Sequence, residues 1–211
     1  MMDKSSDYFI VNICSPDHRS NCLSKDFMYN VALYLTYKGA KKYLWWNYSF
    51  GYGMNWVRST LIKNLHDKFP SEKYVWSFWL DSDIEIDIDE DYKRVGDMII
   101  KAEKTGMSFA GEYKTAMKDN NGNISGVSFK TETVRYDDED LLASNDFDLK
   151  LNHSGLGLCY LKTPTDYKFN AVGFEGEDFN FFRDNKELID LRYCRIDNDH
   201  YKNIALHNTV I

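Results

Sequence analysis

Tyr74-Val75-Trp76-Ser77-Phe78-Trp79-Leu80-Asp81-Ser82-Asp83 is the stretch whose reading decides the fold. Residues 74–80 have the length and the aromatic and β-branched content of a buried strand, and they run directly into two carboxylates. In a parallel sheet such a strand delivers its last residues to the carboxyl edge, where open α/β sheets bind ligands. On an extended chain Asp81 and Asp83 point the same way, with Cα atoms about 6.6 Å apart. Like charges at the rim of an apolar core are costly unless a cation lies between them. The pair therefore predicts a divalent metal site whose oxygen ligands suit Mg²⁺ or Mn²⁺.

The acids continue at alternate positions as Glu85, Asp87 and Asp89, with Ile84, Ile86 and Ile88 between them. An extended chain would make one face a row of carboxylates. Residues 87–91 are better read as the exit from the sheet and the acidic opening of a helix beginning near Tyr92. An EF-hand fails here, because its glycine and terminal glutamate positions hold Ile86 and Tyr92.

The 211 residues suffice for one domain with a sizeable core, and 43% apolar and 16% aromatic residues are globular values. Three prolines, no low-complexity stretch and no internal repeat leave nothing that reads as a linker. With 26 basic and 33 acidic residues the net charge is −7 and the bases are scattered, which argues against a nucleic-acid surface. No signal-peptide pattern and no membrane-spanning run is visible, so a cytoplasmic protein is expected. Cys14, Cys22, Cys159 and Cys194 lack zinc-type spacing and read as free thiols. The sequons at Asn47, Asn123 and Asn152 then read as chance matches.

Along the chain, strands are expected at Phe9–Cys14, Tyr43–Tyr48, 74–80, Met107–Tyr113, 124–130 and Leu158–Leu161. Helices are expected at 24–39 with a Ser24 cap and a Gly39 stop, at 55–68, at 91–104 and at Phe179–Ile189. Asp119-Asn-Asn-Gly-Asn123 signals a hairpin turn. The first half alternates strand and helix, so the fold is α/β with a mostly parallel central sheet flanked by helices. A smaller antiparallel element follows in the second half. The chain reads as a single domain over 1–211, with a nucleotide half (about 1–106) and an acceptor half (about 107–211).

Taken together, these residues resemble a GT-A-fold, DxD-containing, metal-dependent glycosyltransferase that uses a nucleotide-sugar donor. The resemblance rests on Trp79-Leu80-Asp81-Ser82-Asp83 and the upstream helix carrying Arg58. It extends to the loop Ser154-Gly155-Leu156-Gly157, the opening Gly176-Glu177-Asp178 and the late His207, spanning residues 9–207. Its compactness looks like the small enzymes of bacteria and of large DNA viruses, and it is similar to the N-terminal domain of a longer viral glycosyltransferase, which implies the host cytoplasm.

The resemblance implies transfer of a hexose or deoxyhexose from a UDP-sugar to a glycan or other hydroxyl acceptor, with a weak lean to retention. It implies Mn²⁺ or Mg²⁺ on Asp81, Asp83 and His207, with Asp81 holding the metal or the ribose. Ser15, Asp17 and Arg19 would line the nucleoside pocket, Arg58 and Ser82 would brace or contact the donor, and His153, Ser154 and Gly155 would approach the sugar. Glu177 and Asp178 would be the catalytic or acceptor-binding acids. Bland readings stand beside these: Arg58 as a surface ion-pairing residue, Glu177 and Asp178 as helix-capping acids, His153 as a loop hydrogen-bonder, and His200 as a rival to His207. A sugar-nucleotide nucleotidyltransferase is the competing enzyme class, although Ser15-Pro-Asp-His-Arg-Ser20 lacks the glycines of a phosphate loop. A non-catalytic nucleotide-sugar-binding domain is the other competitor.

Overall fold

The computed structural model of the chain describes residues 4–15, 22–40, 42–51, 53–86, 92–111, 114–118, 124–129, 145–170 and 176–196. Six strands form one mixed sheet: β1 (Tyr8–Ser15), β2 (Tyr43–Phe50), β3 (Tyr74–Asp81), β4 (Met107–Ala110), β7 (Leu158–Pro164) and β8 (Asp190–Tyr193). Their order is β2-β1-β3-β7-β4-β8. β5 (Lys114–Lys118) and β6 (Ile124–Phe129) pair as a separate antiparallel ribbon. The helices are α1 (Lys25–Tyr37), α2 (Met54–Lys68), α3 (Tyr92–Thr105) and α4 (Glu177–Asp184). No helix among the described residues is long and apolar enough to cross a membrane.

The alternation of strand side chains divides the core into two layers. Phe9, Val11 and Ile13 of β1 and Phe78 and Leu80 of β3 pack with buried residues of α1 and α3. Ile10 and Cys14 of β1 and Val75 and Trp79 of β3 face the other way, toward α2 and Phe181 and Phe182 of α4. Strand β1 pairs in parallel with both β2 and β3, so the chain order reverses at β1. The carboxyl ends of β1 and β3, where Cys14 lies opposite Asp81, form the switch point at which open α/β sheets take ligands.

The structure departs from the sequence expectation in four places. First, β7 runs antiparallel between β3 and β4, which makes the sheet mixed rather than a continuous parallel run. Second, β3 extends through Asp81 and then turns: Ile84 N–H donates back to Asp81 O at 3.1 Å, so Asp81 and Asp83 do not lie on one extended face. Third, Ser24 does not cap α1. Its hydroxyl donates to Ile84 O at 2.6 Å and accepts from Ile86 N–H at 2.7 Å, satisfying buried backbone beyond the turn. Fourth, the last helix spans Glu177–Asp184 rather than 179–189, and residues beyond Asp184 turn toward β8. The Gly39 stop is as expected, with φ +82° and Gly39 N–H bonded to Thr36 O.

Beneath α2 a row of polar side chains crosses four strands. Asn64 Nδ2 donates to Asn47 Oδ1 (2.9 Å), Asn47 Nδ2 to Asn12 Oδ1 (2.8 Å), and Asn12 Nδ2 to Ser77 Oγ (2.8 Å). The Ser77 and Thr163 hydroxyls lie 2.7 Å apart, and Trp79 Nε1 donates to Thr163 Oγ1 at 2.8 Å. Each buried polar atom in the row is matched by its neighbour, so the row fixes the mutual register of β2, β1, β3 and β7. Asn12→Ala removes a partner from both Asn47 and Ser77. It is expected to lower unfolding stability in urea by about 2–4 kcal/mol, and a variant as stable as the parent would show the row to be dispensable.

Candidate active site at the carboxyl edge of the sheet

Arg58 organises this edge. It lies on the first turns of α2, is 2% exposed, and comes within 3.8 Å of Asp81 Oδ1 through Nη2. Its Nη1 donates to Glu177 Oε1 at 2.7 Å and pairs with Asp178 Oδ1. A guanidinium so deeply buried is tolerable only when carboxylates and hydrogen bonds replace its water. One cation thus ties the end of β3 to the start of α4 across the α2 layer. The surface ion-pair reading of Arg58 does not hold, because the residue is buried. Glu177 and Asp178 occupy the first turn of α4, where acids suit the helix dipole, yet they make no N-cap bond and reach sideways to Arg58 instead. Asp178 Oδ2 also accepts Leu156 N–H at 3.2 Å, fastening the 153–157 loop to the same point.

Asp81 is held in its position by backbone on both sides. Its N–H donates to Gly157 O at 2.9 Å, and the next residue, Ser82, donates its N–H to Cys14 O at 2.9 Å. Ser82 O accepts Leu23 N–H at 3.0 Å, so the turn is pinned to both ends of the loop that follows β1. A Cβ at Gly157 would stand 2.5 Å from Asp81 Oδ2 and 3.0 Å from its Cγ. The glycine is therefore required by the approach of the carboxylate, a role that the sequence pattern did not isolate. Ser15 is buried at the end of β1, and Ser154 and Gly155 are buried in the loop, where Gly155 O accepts the Cys159 thiol at 3.0 Å.

All four cysteines are free, as expected. Burial pushes the Cys14 thiol up to about 12 despite the nearby Arg58, and burial likewise raises Cys159 to about 12. Both remain neutral thiols at physiological pH and contribute packing rather than a nucleophile. His153 packs edge-on against Phe179 at 4.8 Å, and burial lowers its pKa below 6.5. One turn from the Arg58 cluster stand two amides that the sequence reading missed. Asn180 has both amide atoms buried without a hydrogen-bond partner among the described residues, and Asn55 Oδ1 is in the same condition. Their i+3 and i−3 spacing to Glu177 and Arg58 was the available signal.

The structure thus brings Arg58, Asp81, Glu177 and Asp178 together, with Ser82, Gly155 and Ser154 beside them through the turn and the loop. Asp83 follows Asp81 around the turn and is half-buried. Asp17, Arg19, His200 and His207 lie outside the described residues. Among the described residues no group of three or more His, Cys, Asp or Glu is placed to hold a metal ion. The donors of the turn are nevertheless chemically suited to one: Mg²⁺-type ions are held by one or two carboxylates and complete their shell with phosphate oxygens and water. Among the described residues Arg58 pairs with three carboxylates at this edge.

Gly157→Ala is expected to displace the Asp81 carboxylate and reduce any activity or cation binding at this edge by at least about tenfold, while costing only about 1–3 kcal/mol of stability. Unchanged binding by titration calorimetry would show that Asp81 does not serve the site. His153 yields a pH signature. Its folded pKa is depressed, so above about pH 6.5 both states are neutral and the residue has no effect; below that the unfolded chain takes up the proton first and stability falls. The loss of urea resistance between about pH 7.5 and 5.5 should therefore be smaller in His153→Gln than in the parent. Equal losses would place the His153 ring in water.

No family model and no curated protein matches the sequence. Among solved structures the chain is similar to A197 from STIV, known from a crystal structure. The identity is 15% and the TM-score 0.46, with 92% of this chain and 87% of A197 covered.

Proposed function

We propose that the chain is a GT-A-type glycosyltransferase that moves a hexose or deoxyhexose from a UDP-sugar to a hydroxyl acceptor with the help of a divalent cation. The observation that carries this reading is the placing of Asp81 and Asp83 at the switch point between β1 and β3, with Arg58, Glu177 and Asp178 gathered against Asp81. A phosphate-bearing donor needs positive charge at its leaving group and close backbone approach at its sugar. The edge supplies carboxylates for a cation and the small-residue loop 154–157.

Asp81 and Asp83, with His207 by resemblance, would hold Mn²⁺ or Mg²⁺, which supplies Lewis-acid stabilisation of the charge developing on the β-phosphate. The remaining chemistry belongs to the chain. Arg58 holds Asp81 in its position and anchors α4, while Gly157 leaves room for that carboxylate. In transfer, the bond from the anomeric carbon to the β-phosphate oxygen breaks, UDP departs, and the acceptor oxygen bonds to the anomeric carbon and releases its proton. Glu177 and Asp178 are both engaged with Arg58, and Asp178 also with Leu156 N–H. This engagement favours retention, in which the departing phosphate takes the proton on the same face and the two acids position the acceptor.

The test is UDP release from a panel of UDP-hexoses with Mn²⁺, with and without EDTA. Metal-dependent release is expected, falling about a hundredfold or more in Asp83→Ala with the fold retained. Pyrophosphate-dependent formation of UTP would identify a nucleotidyltransferase instead, and saturable UDP-sugar binding without turnover a binding domain. Proton NMR of the product should show the donor's anomeric configuration kept; an inverted product would return the base role to Glu177 or Asp178.

A further inference from the structure

A second cleft opens along α2, lined by none of the residues that pair around Arg58. One wall is α2 from Ser59 to His66, about 10 Å of helix, and the other is the segment 165–170 that follows β7. Thr165 N–H donates to Lys73 O at 3.1 Å, which sets the start of this segment beside the amino end of β3. Phe169 N–H donates to Ser59 Oγ at 3.2 Å, which fastens its far end to the helix. The cleft has a volume of about 500 Å³, within the range of about 300–1,000 Å³ usual for small-molecule sites.

Its floor is apolar and preformed. Ile62 and Phe169 are buried and Tyr167 is half-buried. Phe169 stacks on Phe181 with ring centroids 5.3 Å apart, and Tyr167 meets Phe169 edge-on at 5.1 Å. The Tyr167 hydroxyl donates to Asp184 Oδ2 at 3.0 Å. Rings held in this way lose little freedom when a ligand lies on them. The rim is polar, with bonding capacity to spare. His66, Asp166, Lys168 and Asn170 are exposed and make no hydrogen bond or ion pair among the described residues. Ser59 Oγ, the acceptor for Phe169 N–H, keeps its own O–H to donate.

We propose that this cleft binds a neutral saccharide. Charge selects against an ion: Lys63 is paired with Asp67, Lys168 stands two residues from Asp166, and histidine counts as neutral at pH 7, so the rim offers no net charge. Hydrogen bonding selects for hydroxyls. Each sugar hydroxyl both donates and accepts, so one pyranose can satisfy a carboxylate, an ammonium, an amide and an imidazole together. The C–H face of the ring suits aromatic side chains, whose π faces are negative. A wholly apolar ligand would cover the polar rim without pairing it, and an anion would meet Asp166. The site needs neither cation nor nucleotide and does not rest on the transfer reaction proposed above.

Titration of the ¹⁵N-labelled chain with the methyl glycosides of glucose, galactose, mannose and rhamnose, followed by amide chemical shifts without metal or nucleotide, tests this. At least one glycoside is expected to shift the amides of residues 62–66 and 165–170 saturably, with a Kd of about millimolar. The doubly substituted Asp166→Ala/Asn170→Ala chain, altered only at exposed positions, should weaken that binding by at least about tenfold with an unchanged circular dichroism spectrum. His66→Ala, on the opposite wall, serves as the second variant and should weaken it in the same direction. Inorganic phosphate and acetate are titrated in parallel and should leave these amides unmoved. Shifts there with either anion but no glycoside, no saturable shift with any glycoside, shifts confined to residues 81–83 and 153–157, or binding indifferent to both variants would each overturn the proposal. Failure of UDP release in the transferase assay would leave it standing.

Discussion

Everything at the carboxyl edge depends on a buried guanidinium. Arg58 reaches into the layer between α2 and the sheet with almost no access to water, and a charge in that place is stable only while carboxylates surround it. Removing one partner from such a cluster typically costs about 3–5 kcal/mol, more than most single interactions in a domain. That cost compels three segments distant in sequence to meet: the end of β3, the first turns of α2 and the start of α4. Arg58 and Glu177 are 119 residues apart, so their bond is a statement about the whole fold. The 153–157 loop joins through Asp178, and the turn at Ser82 joins through Asp81.

The same cluster explains why chemistry is expected here rather than elsewhere on the sheet. A set of charges optimised for stability alone would balance. Among the described residues one guanidinium meets Asp81, Glu177 and Asp178, with Asp83 two residues further on, which gathers more carboxylates than cations in the ion pairs seen at the rim of an apolar core. Exposed rims screen such an excess, but these side chains are largely sheltered. Asn180 and Asn55 add buried amide atoms that no group among the described residues satisfies, at about 1–3 kcal/mol each. Local rules broken together at one place, while the rest of the described core obeys them, are what a candidate functional site looks like.

Much of this was legible in the sequence because it is local. The composition of 74–80 named the central strand, two acids one residue apart marked its carboxyl end as the candidate site, and Gly39 marked a helix stop. What sequence reasoning missed is non-local. Nothing in Leu158–Pro164 says that it will insert antiparallel between β3 and β4, since pairing partners are chosen by tertiary packing rather than by strand composition. Ser24 carries every mark of a helix cap, yet the buried carbonyl of Ile84 and amide of Ile86 compete for its hydroxyl and win. The turn after Asp81 was hidden for a related reason: alternating acids and isoleucines mimic a strand, while the bonds that bend the chain come from Cys14, Leu23 and Gly157.

That turn changes the geometric argument for the paired acids without removing it. On an extended strand both carboxylates would be presented by strand periodicity alone, and any substitution preserving alternation would preserve the site. Around a turn, each carboxylate is placed by a different support: Asp81 by Arg58 and the bare Cα of Gly157, Asp83 by the backbone of a turn that Cys14 and Leu23 pin from outside. Independent supports allow the two acids to be placed separately, Asp81 against the guanidinium and Asp83 at the turn beyond it. A pair fixed as a rigid unit could not divide its work in that way. Under the proposed function, that division would let a single short motif close the protein's own charge cluster through Asp81 and offer oxygen ligands through Asp83.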